Sequence, residues 1–299
     1  MYSEIFDFLP PERIKINEPM KEHSSFKIGG PVDLMVLPES IEEIQRITHY
    51  CRKKDIPCFV FGLGSNILVR DKGIRGVAIK VGNNLKNISI CNDTIFAEAG
   101  VRLAELSQAA ADYSLSGLEF AEGIPGSLGG AVVMNAGAYG GEMKDVLKEV
   151  RAITPDGNLS SFKPEEMKLR YRGSIFQEEE LIVVSALMQL HKERAEDIRA
   201  RMQDFAKRRR EKQPLEYPSA GSTFRRPAGF FVGPMIEEMG LKGFKVGGAE
   251  VSRKHAGFII NSGNATANEV LELIAIVKAK AKEHYGIELE TEVKVVGEE

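Results

Sequence analysis

The stretch EGIPGSLGGAVVMNAGAYGGE, residues 122–142, carries seven glycines, and FGLGSNILV, residues 61–69, carries two more after a predicted strand. Glycine tolerates positive φ and lets backbone N–H groups approach a ligand closely. Successive N–H groups of this kind form a concavity that binds phosphate oxygens without a cationic side chain. Either loop alone would be interpreted as a tight turn between strands. Two such loops together predict a nucleotide site, and their hydrogen-bonding side chains are Ser65, Asn66, Ser127 and Asn135.

The spacing of these glycines excludes the two best-known nucleotide-binding loops. GLGS lacks the third glycine of the GxGxxG fingerprint, and no helical pattern begins directly after it. GIPGSLGG lacks the GK[ST] ending of a P-loop. The sequence therefore predicts that another glycine-loop architecture holds the nucleotide.

The first loop follows a predicted βαβ unit. VDLMVL (32–37) is typical of a strand, and Ser40 with Glu43 forms a capping box that begins a helix. Pro57 ends that helical segment, and CFVFG begins the next strand. We expect residues 1–72 to form an α/β lobe.

Short apolar strands dominate residues 73–192. One helix interrupts them, and its inward face is predicted to carry Leu103, Leu106, Ala110 and Tyr113. We expect this segment to form an α+β lobe.

Residues 193–299 are predicted to contain a polar connector helix and a C-terminal α+β lobe. The long helix of that lobe begins at a capping box of Thr266 and Glu269 and stops at Gly286. A strand in EVKVVG closes the chain. The whole chain is therefore predicted to belong to the α+β class.

Composition limits the classes of function. The chain has 299 residues, 43% of them hydrophobic, and a formal net charge of -3. This balance gives no argument for nucleic acid or an anionic membrane, and acidic residues precede the basic run KRRREK (207–212), as on a solvated helix face. The first residues lack a secretory pattern, and no apolar run reaches membrane-spanning length. We expect a cytoplasmic protein without nucleic-acid or membrane partners.

The three cysteines are Cys51, Cys58 and Cys91. They form neither a CxxC pair nor a metal-ligand spacing. The sequence predicts reduced thiols and no metal site.

Seven motifs in order give the chain a specific resemblance. It resembles the UDP-N-acetylenolpyruvoylglucosamine reductase (MurB) family, within the vanillyl-alcohol-oxidase-like class of FAD enzymes. The motifs are SSFKIGGPVD (24–33), GLGSNILV (62–69), GIPGSLGGAVVMNAGAYGGE (123–142), LRYRGSIF (169–176), PSAGSTFRRP (218–227), GGAEVSRKHAGFIIN (247–261) and LETEVKVVG (289–297).

The resemblance implies FAD-binding lobes from about residue 27 to about residue 192 and a substrate lobe from about residue 214. FAD is expected to bind non-covalently, since the glycine loops contain no histidine or cysteine. The implied cofactor-binding residues are Gly62, Gly64, Ser65, Asn66, Ile67, Gly123, Pro125, Gly126, Ser127, Gly129, Gly130, Asn135, Gly137 and Ala138.

The resemblance also implies a reaction. NADPH reduces FAD, and hydride then passes to the enolpyruvyl group of UDP-GlcNAc-enolpyruvate, giving UDP-N-acetylmuramate for peptidoglycan synthesis. Three motif positions carry over catalytic roles: Arg172 as the active-site arginine, Ser222 as the proton donor and Glu292 as its carboxylate partner. Arginine suits a substrate carboxylate because its planar fork binds bidentately and keeps its proton.

Six further residues are expected to hold substrate by their neighbourhood in the motifs: Tyr171, Arg226, Lys245, Ser252, Lys254 and His255. Arg226 replaces the asparagine usual in the family's GS-x-F-x-N-P motif. No insertion follows YRGSIF, so the chain is similar to the loop-lacking subgroup. The protein is expected to be a monomer. The alternatives are another FAD oxidoreductase of this fold and a non-catalytic nucleotide-binding module, which would not need Arg172, Ser222 and Glu292 together.

Overall fold

The computed structural model describes residues 2–82 and 84–299 of the chain. The described chain divides into two compact units. The first unit comprises Met1–Lys15, Leu34–Leu63 and Gly76–Arg209, and the second comprises Ile16–Asp33, Gly64–Arg75 and Arg210–Glu299.

The helices are numbered in chain order. They are α1 Ile41–Lys53, α2 Leu103–Asp112, α3 Leu128–Val133, α4 Ile175–Glu178, α5 Ala195–Lys212, α6 Val232–Glu238 and α7 Ala267–Tyr285. Short 3₁₀ turns occur at Ser3–Asp7, Pro11–Arg13, Met20–Glu22, Glu119–Ala121 and Met143–Asp145.

The strands are numbered in the same way. They are β1 Ile14–Pro19, β2 Pro31–Val36, β3 Cys58–Phe61, β4 Ile67–Val69, β5 Ile74–Lys80, β6 Ile88–Cys91, β7 Thr94–Glu98, β8 Leu115–Ser116, β9 Gly137–Ala138, β10 Gly141–Glu142, β11 Leu147–Ile153, β12 Leu159–Phe162, β13 Ile182–Gln189, β14 His191–Lys192, β15 Lys245–Val246, β16 Ala249–Val251, β17 Ile259–Asn261 and β18 Lys294–Val296. This mixture of helices and sheets confirms the predicted α+β class.

The first unit is built on an antiparallel sheet of order β12–β11–β13–β7–β6. The short helix α3, which follows the second glycine loop, packs against β13 and β7. Strands β3 and β5 run parallel in the smaller sheet, with Cys58 opposite Val77. Alternating buried residues such as Val150 and Ala152 in β11 form the core between these layers.

The second unit is built on the antiparallel sheet β15–β16–β17 and on the helix α7. The side chains of Val270, Leu273 and Val277 on α7 are fully buried in its core. Strand β4 runs parallel to β18, so Leu68 pairs with Val295 at the other end of the sequence. This long-range hydrogen bonding explains why residues 64–75 belong with the C-terminal part of the chain.

The two units differ from the three successive lobes expected over 1–72, 73–192 and 193–299. The observed grouping interleaves segments of the chain, because strand pairing and not sequence proximity decides which segments pack together. The function of each lobe therefore remains a prediction.

The capping residues predicted the ends of α7 correctly. The Thr266 side chain accepts a hydrogen bond from the Glu269 N–H, and the Glu269 carboxylate accepts one from the Thr266 N–H. Gly286 ends α7 with a φ of 67°. The prediction for Tyr113 was wrong: it is the C-cap residue of α2 and its side chain is 58% exposed. Helix α2 ends at Asp112, so Tyr113 does not continue the buried face of the helix. Among the described helices, none combines the length and apolar character that a membrane span requires.

Candidate active site

Within the first unit, Gly62 at the start of the first glycine loop lies against Ser127 of the second. A Cβ at Gly62 would lie 2.2 Å from the Oγ of Ser127, so only glycine permits this approach of the first loop to the second. Ser127 is buried and stands at the N-cap of α3. The sequence prediction that both loops contribute to one site is consistent with this contact.

Asn135 holds the second loop in shape. Its φ is 41° and its side chain is fully buried. The amide nitrogen donates to the Glu142 carboxylate at 2.7 Å and to the Arg170 carbonyl at 3.2 Å, while the amide oxygen accepts from the Lys144 N–H at 2.9 Å. The Asn135 amide is therefore committed to the loop itself, and its predicted contact with FAD stays untested.

The loops leave room for a flat, phosphate-bearing cofactor. Gly130 is exposed on α3, and a Cβ added there would meet its nearest protein neighbour, the Ser127 Oγ, only at 3.9 Å. A Cβ at Gly140, where φ is 92°, would meet nothing within 4 Å. A glycine backbone that faces open space can be approached closely by a dinucleotide. The residues present therefore fit FAD. Among the described residues, no group of three or more His, Cys, Asp or Glu side chains could hold a metal ion.

Helix α5 covers the end of the second loop, a feature that the sequence did not indicate. The Tyr139 ring stacks on Phe205 at 4.6 Å with an interplanar angle of 7°, and the Arg209 guanidinium lies 5.8 Å from the Tyr139 ring. The Arg209 side chain also approaches Gly123, where a Cβ would lie 3.2 Å from it. Burial lowers the pKa of Arg209. The spacing of Phe205 and Arg209, one turn apart on a helix, was the available signal.

Arg172 occupies a conformation that non-glycine residues seldom adopt. Its φ is 55°, and its guanidinium lies 4.9 Å from the centre of the Tyr171 ring. The Arg172 Nη2 donates to the Gly137 carbonyl at 3.5 Å. Residues held at positive φ cluster at functional sites, where the surrounding structure imposes the conformation. The structure therefore brings Arg172 and Tyr171 to the second glycine loop.

The second unit brings Ser222, Asn66 and Glu292 together. The Glu292 N–H donates to the Thr223 carbonyl at 2.9 Å, so the SAGST and LETEV segments run side by side. The Asn66 amide donates to the Glu292 carbonyl at 3.1 Å. The Ser222 hydroxyl donates to the Phe224 carbonyl at 3.2 Å. The segments that carry Ser222 and Glu292 are thus paired, and the Asn66 side chain of the first glycine loop is hydrogen bonded to one of them.

Thr223, which the sequence analysis missed, anchors this pairing to the GGAEVSRKHAGFIIN segment. It is buried, its N–H donates to the Gly257 carbonyl at 2.9 Å, and its Oγ1 accepts from the Ile259 N–H at 3.0 Å. The threonine in SAGST was the only sequence signal. Thr223 therefore fixes the backbone on which Ser222 stands.

Ser252 and His255 are part of one tight turn. The buried Ser252 Oγ accepts from the N–H groups of Lys254 and His255 at 3.1 and 3.2 Å. The His255 Nδ1 accepts from the Gly257 N–H at 3.1 Å, which places the ring proton of the neutral form on Nε2. Burial lowers the pKa of His255. Burial therefore favours the neutral ring of His255, in which Nε2–H is the donor.

Each of the remaining predicted substrate residues contacts a neighbour within the second unit. Lys254 lies 3.4 Å from Glu216, and Lys245 lies 3.0 Å from the buried Glu250. The Arg226 Nε donates to the Phe230 carbonyl at 3.1 Å, and its guanidinium lies 3.8 Å from the Phe231 ring. Arg226, Lys245 and Lys254 are therefore cations on the second unit whose role toward a substrate remains a prediction.

Two protein families match separate parts of the chain. Residues 32–163 match the FAD binding domain family, and residues 213–296 match the UDP-N-acetylenolpyruvoylglucosamine reductase C-terminal domain. The chain is 48% identical to the UDP-N-acetylenolpyruvoylglucosamine reductase of Caldanaerobacter subterraneus subsp. tengcongensis, over 100% of this chain and 98% of that protein. Its fold is similar to the crystal structure of the enzyme of that name from Thermus caldophilus, with a TM-score of 0.80, 36% identity and coverage of 95% of this chain and 98% of that one.

A more distant likeness concerns the fold alone. The glucose dehydrogenase Phl p 4.0202 matches with a TM-score of 0.50 and 15% identity, covering 64% of this chain and 44% of that one.

The fold and the site define an FAD-binding oxidoreductase. The second unit adds the C-terminal domain that distinguishes one branch of this class. The chain belongs to the UDP-N-acetylenolpyruvoylglucosamine reductase family. The predicted fold, the FAD cofactor and the oxidoreductase activity with NADPH are confirmed, whereas the individual site residues stay predictions.

Proposed function

We propose that Arg172, Ser222 and Glu292 carry out the family's reaction in this chain, the reduction of UDP-GlcNAc-enolpyruvate to UDP-N-acetylmuramate. The main support is the pairing of the SAGST and LETEV segments, in which the Glu292 N–H donates to the Thr223 carbonyl at 2.9 Å. This pairing holds Ser222 and Glu292 at neighbouring backbone positions in a protein whose relatives are reductases of this name. A module that only bound a nucleotide would not need it.

The glycine loops would hold FAD, whose chemistry would be hydride transfer between NADPH and the enolpyruvyl group. The residues that would hold it are the glycine-loop positions, with Gly62 and Ser127 in contact and Gly130 facing open space. The loops bind and orient the cofactor through backbone N–H groups, and they need no covalent bond to it.

Arg172 would bind the substrate carboxylate. Hydride addition to the enolpyruvyl group leaves negative charge on the adjacent carbon and the carboxylate, and fixed positive groups stabilise such charge as it develops. The positive φ of Arg172 and its contact with Gly137 fix the guanidinium at the second glycine loop. A cation already held in place needs little reorganisation during the reaction.

Ser222 would deliver the proton that completes the reduction. Its hydroxyl donates to the Phe224 carbonyl at 3.2 Å, so the proton is directed in a defined way before substrate arrives. A hydroxyl is a weak acid, but a positioned acid next to a carbanion-like centre contributes substantially to the rate. Glu292, on the paired segment, would form a hydrogen bond with the substrate atoms on which negative charge develops, or with Ser222.

The cations of the second unit suit the diphosphate of the substrate. Arg226, Lys245 and Lys254 supply positive charge, while Tyr171 of the first unit offers an exposed ring. Ser252 and His255 would shape the turn that carries Lys254. We also propose, from the sequence, that the protein is a monomer, binds no nucleic acid and acts in the cytoplasm.

Product analysis tests this function. The purified protein is incubated with NADPH and UDP-GlcNAc-enolpyruvate in deuterated water, and the sugar nucleotide is examined by mass spectrometry and NMR. We expect UDP-N-acetylmuramate with one hydrogen from NADPH and one deuterium from solvent at the carbon that receives the proton. Recovery of unchanged substrate, while NADPH is oxidised with another acceptor, would support a different oxidoreductase.

A further inference from the structure

A short hairpin ends the second glycine loop. Its strands, β9 and β10, pair antiparallel, with Gly137 opposite Glu142. Tyr139 and Gly140 form the turn, and both have positive φ, 54° and 92°, as a two-residue hairpin turn of type I′ requires. A two-stranded hairpin is at best marginally stable by itself in water. The position of this hairpin therefore depends on what packs against it.

Helix α5 contacts the tip of the hairpin. The Tyr139 ring stacks on the Phe205 ring, with the ring centres 4.6 Å apart and an interplanar angle of 7°. One turn further along α5, the Arg209 guanidinium lies 5.8 Å from the centre of the Tyr139 ring. The Arg209 side chain also lies beside Gly123, at the start of the loop. One helix thus contacts both ends of the second glycine loop.

Helix α5 is also anchored to α2. Ile198 and Met202 of α5 are buried in one cluster with Ala111 of α2. Phe205 and Arg209 follow Ile198 and Met202 at helical spacing, so the four side chains lie on one face of α5. The face that packs on α2 therefore continues into the residues that meet the hairpin.

The base of the hairpin contacts the arginine that is proposed to bind the substrate carboxylate. The Arg172 Nη2 donates to the Gly137 carbonyl at 3.5 Å. The Asn135 amide connects the same two segments, because it donates to the Glu142 carboxylate at 2.7 Å and to the Arg170 carbonyl at 3.2 Å. A hydrogen bond of 3.5 Å is near the upper limit of length. A small displacement of the hairpin would therefore remove it.

We propose that Phe205 is a positioning residue for the reaction, because its ring holds the hairpin against which Arg172 is placed. The inference rests on the proposed role of Arg172 toward the substrate carboxylate. Phe205 acts through Tyr139 and the hairpin, and not by contact with the substrate. Misplacement of a group in an active site by about 1 Å can cost on the order of a hundred-fold in rate, even when the mutation is remote.

Ligand binding tests the proposal without turnover. Isothermal titration calorimetry on the oxidised, flavin-containing protein compares UDP-N-acetylmuramate, which carries a carboxylate, with UDP-GlcNAc, which lacks it. Phe205→Ala should weaken the binding of UDP-N-acetylmuramate roughly ten- to a hundred-fold, the loss expected for a hydrogen bond to a charged group. The affinity for UDP-GlcNAc should stay unchanged. Phe205→Tyr keeps the ring and should restore the affinity, and Gln203→Ala, at an exposed position of α5, is the matched control.

A double-mutant cycle tests whether Phe205 acts through the hairpin. The measured quantity is the rate at which UDP-GlcNAc-enolpyruvate reoxidises the flavin after its reduction by NADPH. Phe205→Ala should slow this step roughly ten- to a hundred-fold, whereas in the Tyr139→Ala background it should slow it by about two-fold at most, because contacting residues are not additive. Reduction of the flavin by NADPH should change little, since it involves no substrate carboxylate.

Three results would overturn the proposal. They are an equal loss of affinity for both nucleotides, additive effects of Phe205→Ala and Tyr139→Ala, and a Phe205→Ala protein that matches Gln203→Ala in both measurements. These results would leave the proposed function intact, whereas a wild-type flavin that the enolpyruvyl substrate does not reoxidise would contradict that function and this inference with it. If Phe205→Ala fails to fold, Phe205→Leu, which keeps apolar volume without the ring, gives the same comparison.

Discussion

At the residue scale, the proposed catalytic side chains stand on backbone that is already constrained. Arg172 stands at positive φ beside Gly137, and the backbone of Ser222 is fixed through its neighbour Thr223. Catalytic geometry of this kind is sensitive to displacements of about 1 Å, because the reacting groups must be aligned before the reaction begins. Substitutions at these two positions therefore give the sharpest tests of individual roles.

Replacing Arg172 by lysine should reduce turnover strongly while the flavin content stays unchanged. Lysine keeps the positive charge but cannot grip a carboxylate with two parallel hydrogen bonds. Steady-state kinetics and the flavin-to-protein absorbance ratio measure the two effects. Arg194→Lys is the matched control, because the Arg194 side chain is 77% exposed. Wild-type turnover in Arg172→Lys would mean that Arg172 only supports the loop.

Ser222→Ala should separate the two halves of the reaction. Bleaching of the flavin absorbance by NADPH needs no proton from Ser222 and should stay nearly intact. Return of that absorbance with the enolpyruvyl substrate should slow by roughly a hundred- to ten-thousand-fold, the usual loss for a positioned acid. Rapid mixing follows each half. Ser222→Cys should recover part of the rate, whereas equal slowing of both halves would argue for a structural role.

At the scale of elements, the glycine loops and the helix ends decide binding and local stability. The Asn135 amide holds the second loop in shape, and Tyr139 of that loop stacks on Phe205 of α5. Helix α7 receives a cap from outside its own sequence, because the Asp71 carboxylate accepts from the N–H groups of Ala267 and Asn268 at 2.8 and 3.0 Å. Each element therefore yields a test that does not depend on turnover.

Gly130→Leu should lower the flavin content of the purified protein. The added side chain would enter the space beside α3, where a Cβ meets protein atoms only at 3.9 Å, so it should obstruct the cofactor without disturbing the core. Gly130→Ala is the graded control and should retain more flavin. Full flavin occupancy in Gly130→Leu would remove this loop from the cofactor site.

Asp71→Ala should destabilise the second unit by about 1 kcal/mol, the usual value for a lost helix cap. The change leaves two N–H groups at the start of α7 without their acceptor. Urea unfolding measures the free energy, and Lys72→Ala, at the next exposed position, serves as the control. A urea midpoint identical to that of Lys72→Ala would show that solvent replaces the Asp71 cap without a loss of unfolding free energy.

Local elements could be predicted from the sequence, and long-range ones could not. The Thr266–Glu269 box and Gly286 define the ends of α7 because capping uses residues adjacent in sequence. The pairing of β4 with β18 joins short segments far apart, and no periodicity encodes such a partner. The structural use of the Asn135 amide was missed for the same reason, because it depends on Arg170, a residue outside its motif.

At the scale of the whole molecule, the chain passes between its two units several times. Segments 16–33 and 64–75 belong to the second unit although the first unit surrounds them in sequence. Arg172 lies in the first unit, and Ser222 with Glu292 lies in the second. The proposed catalytic residues are thus distributed over the sequence, which explains why composition and periodicity could not group them.

Acid should destabilise the first unit through one ion-pair network. Arg201 binds Glu193 and Glu119 at 2.6 Å each, which lowers the pKa of Glu193 to about 2 and also lowers that of Glu119. A carboxyl whose folded pKa is depressed contributes stability above its unfolded pKa, near 4.5, and loses it as pH falls toward 2. Urea midpoints across this window should fall, and they should fall less steeply in Arg201→Gln. Parallel curves for the two proteins would exclude the network as the cause.

The central claim is that this chain is an FAD-dependent reductase of an enolpyruvyl sugar nucleotide. An anaerobic absorbance titration of the purified protein tests it most directly. The account predicts a flavin spectrum that NADPH bleaches and that UDP-GlcNAc-enolpyruvate restores, with one substrate consumed per flavin reoxidised. A protein without flavin absorbance, or a bleached flavin that this substrate leaves reduced, would contradict the account.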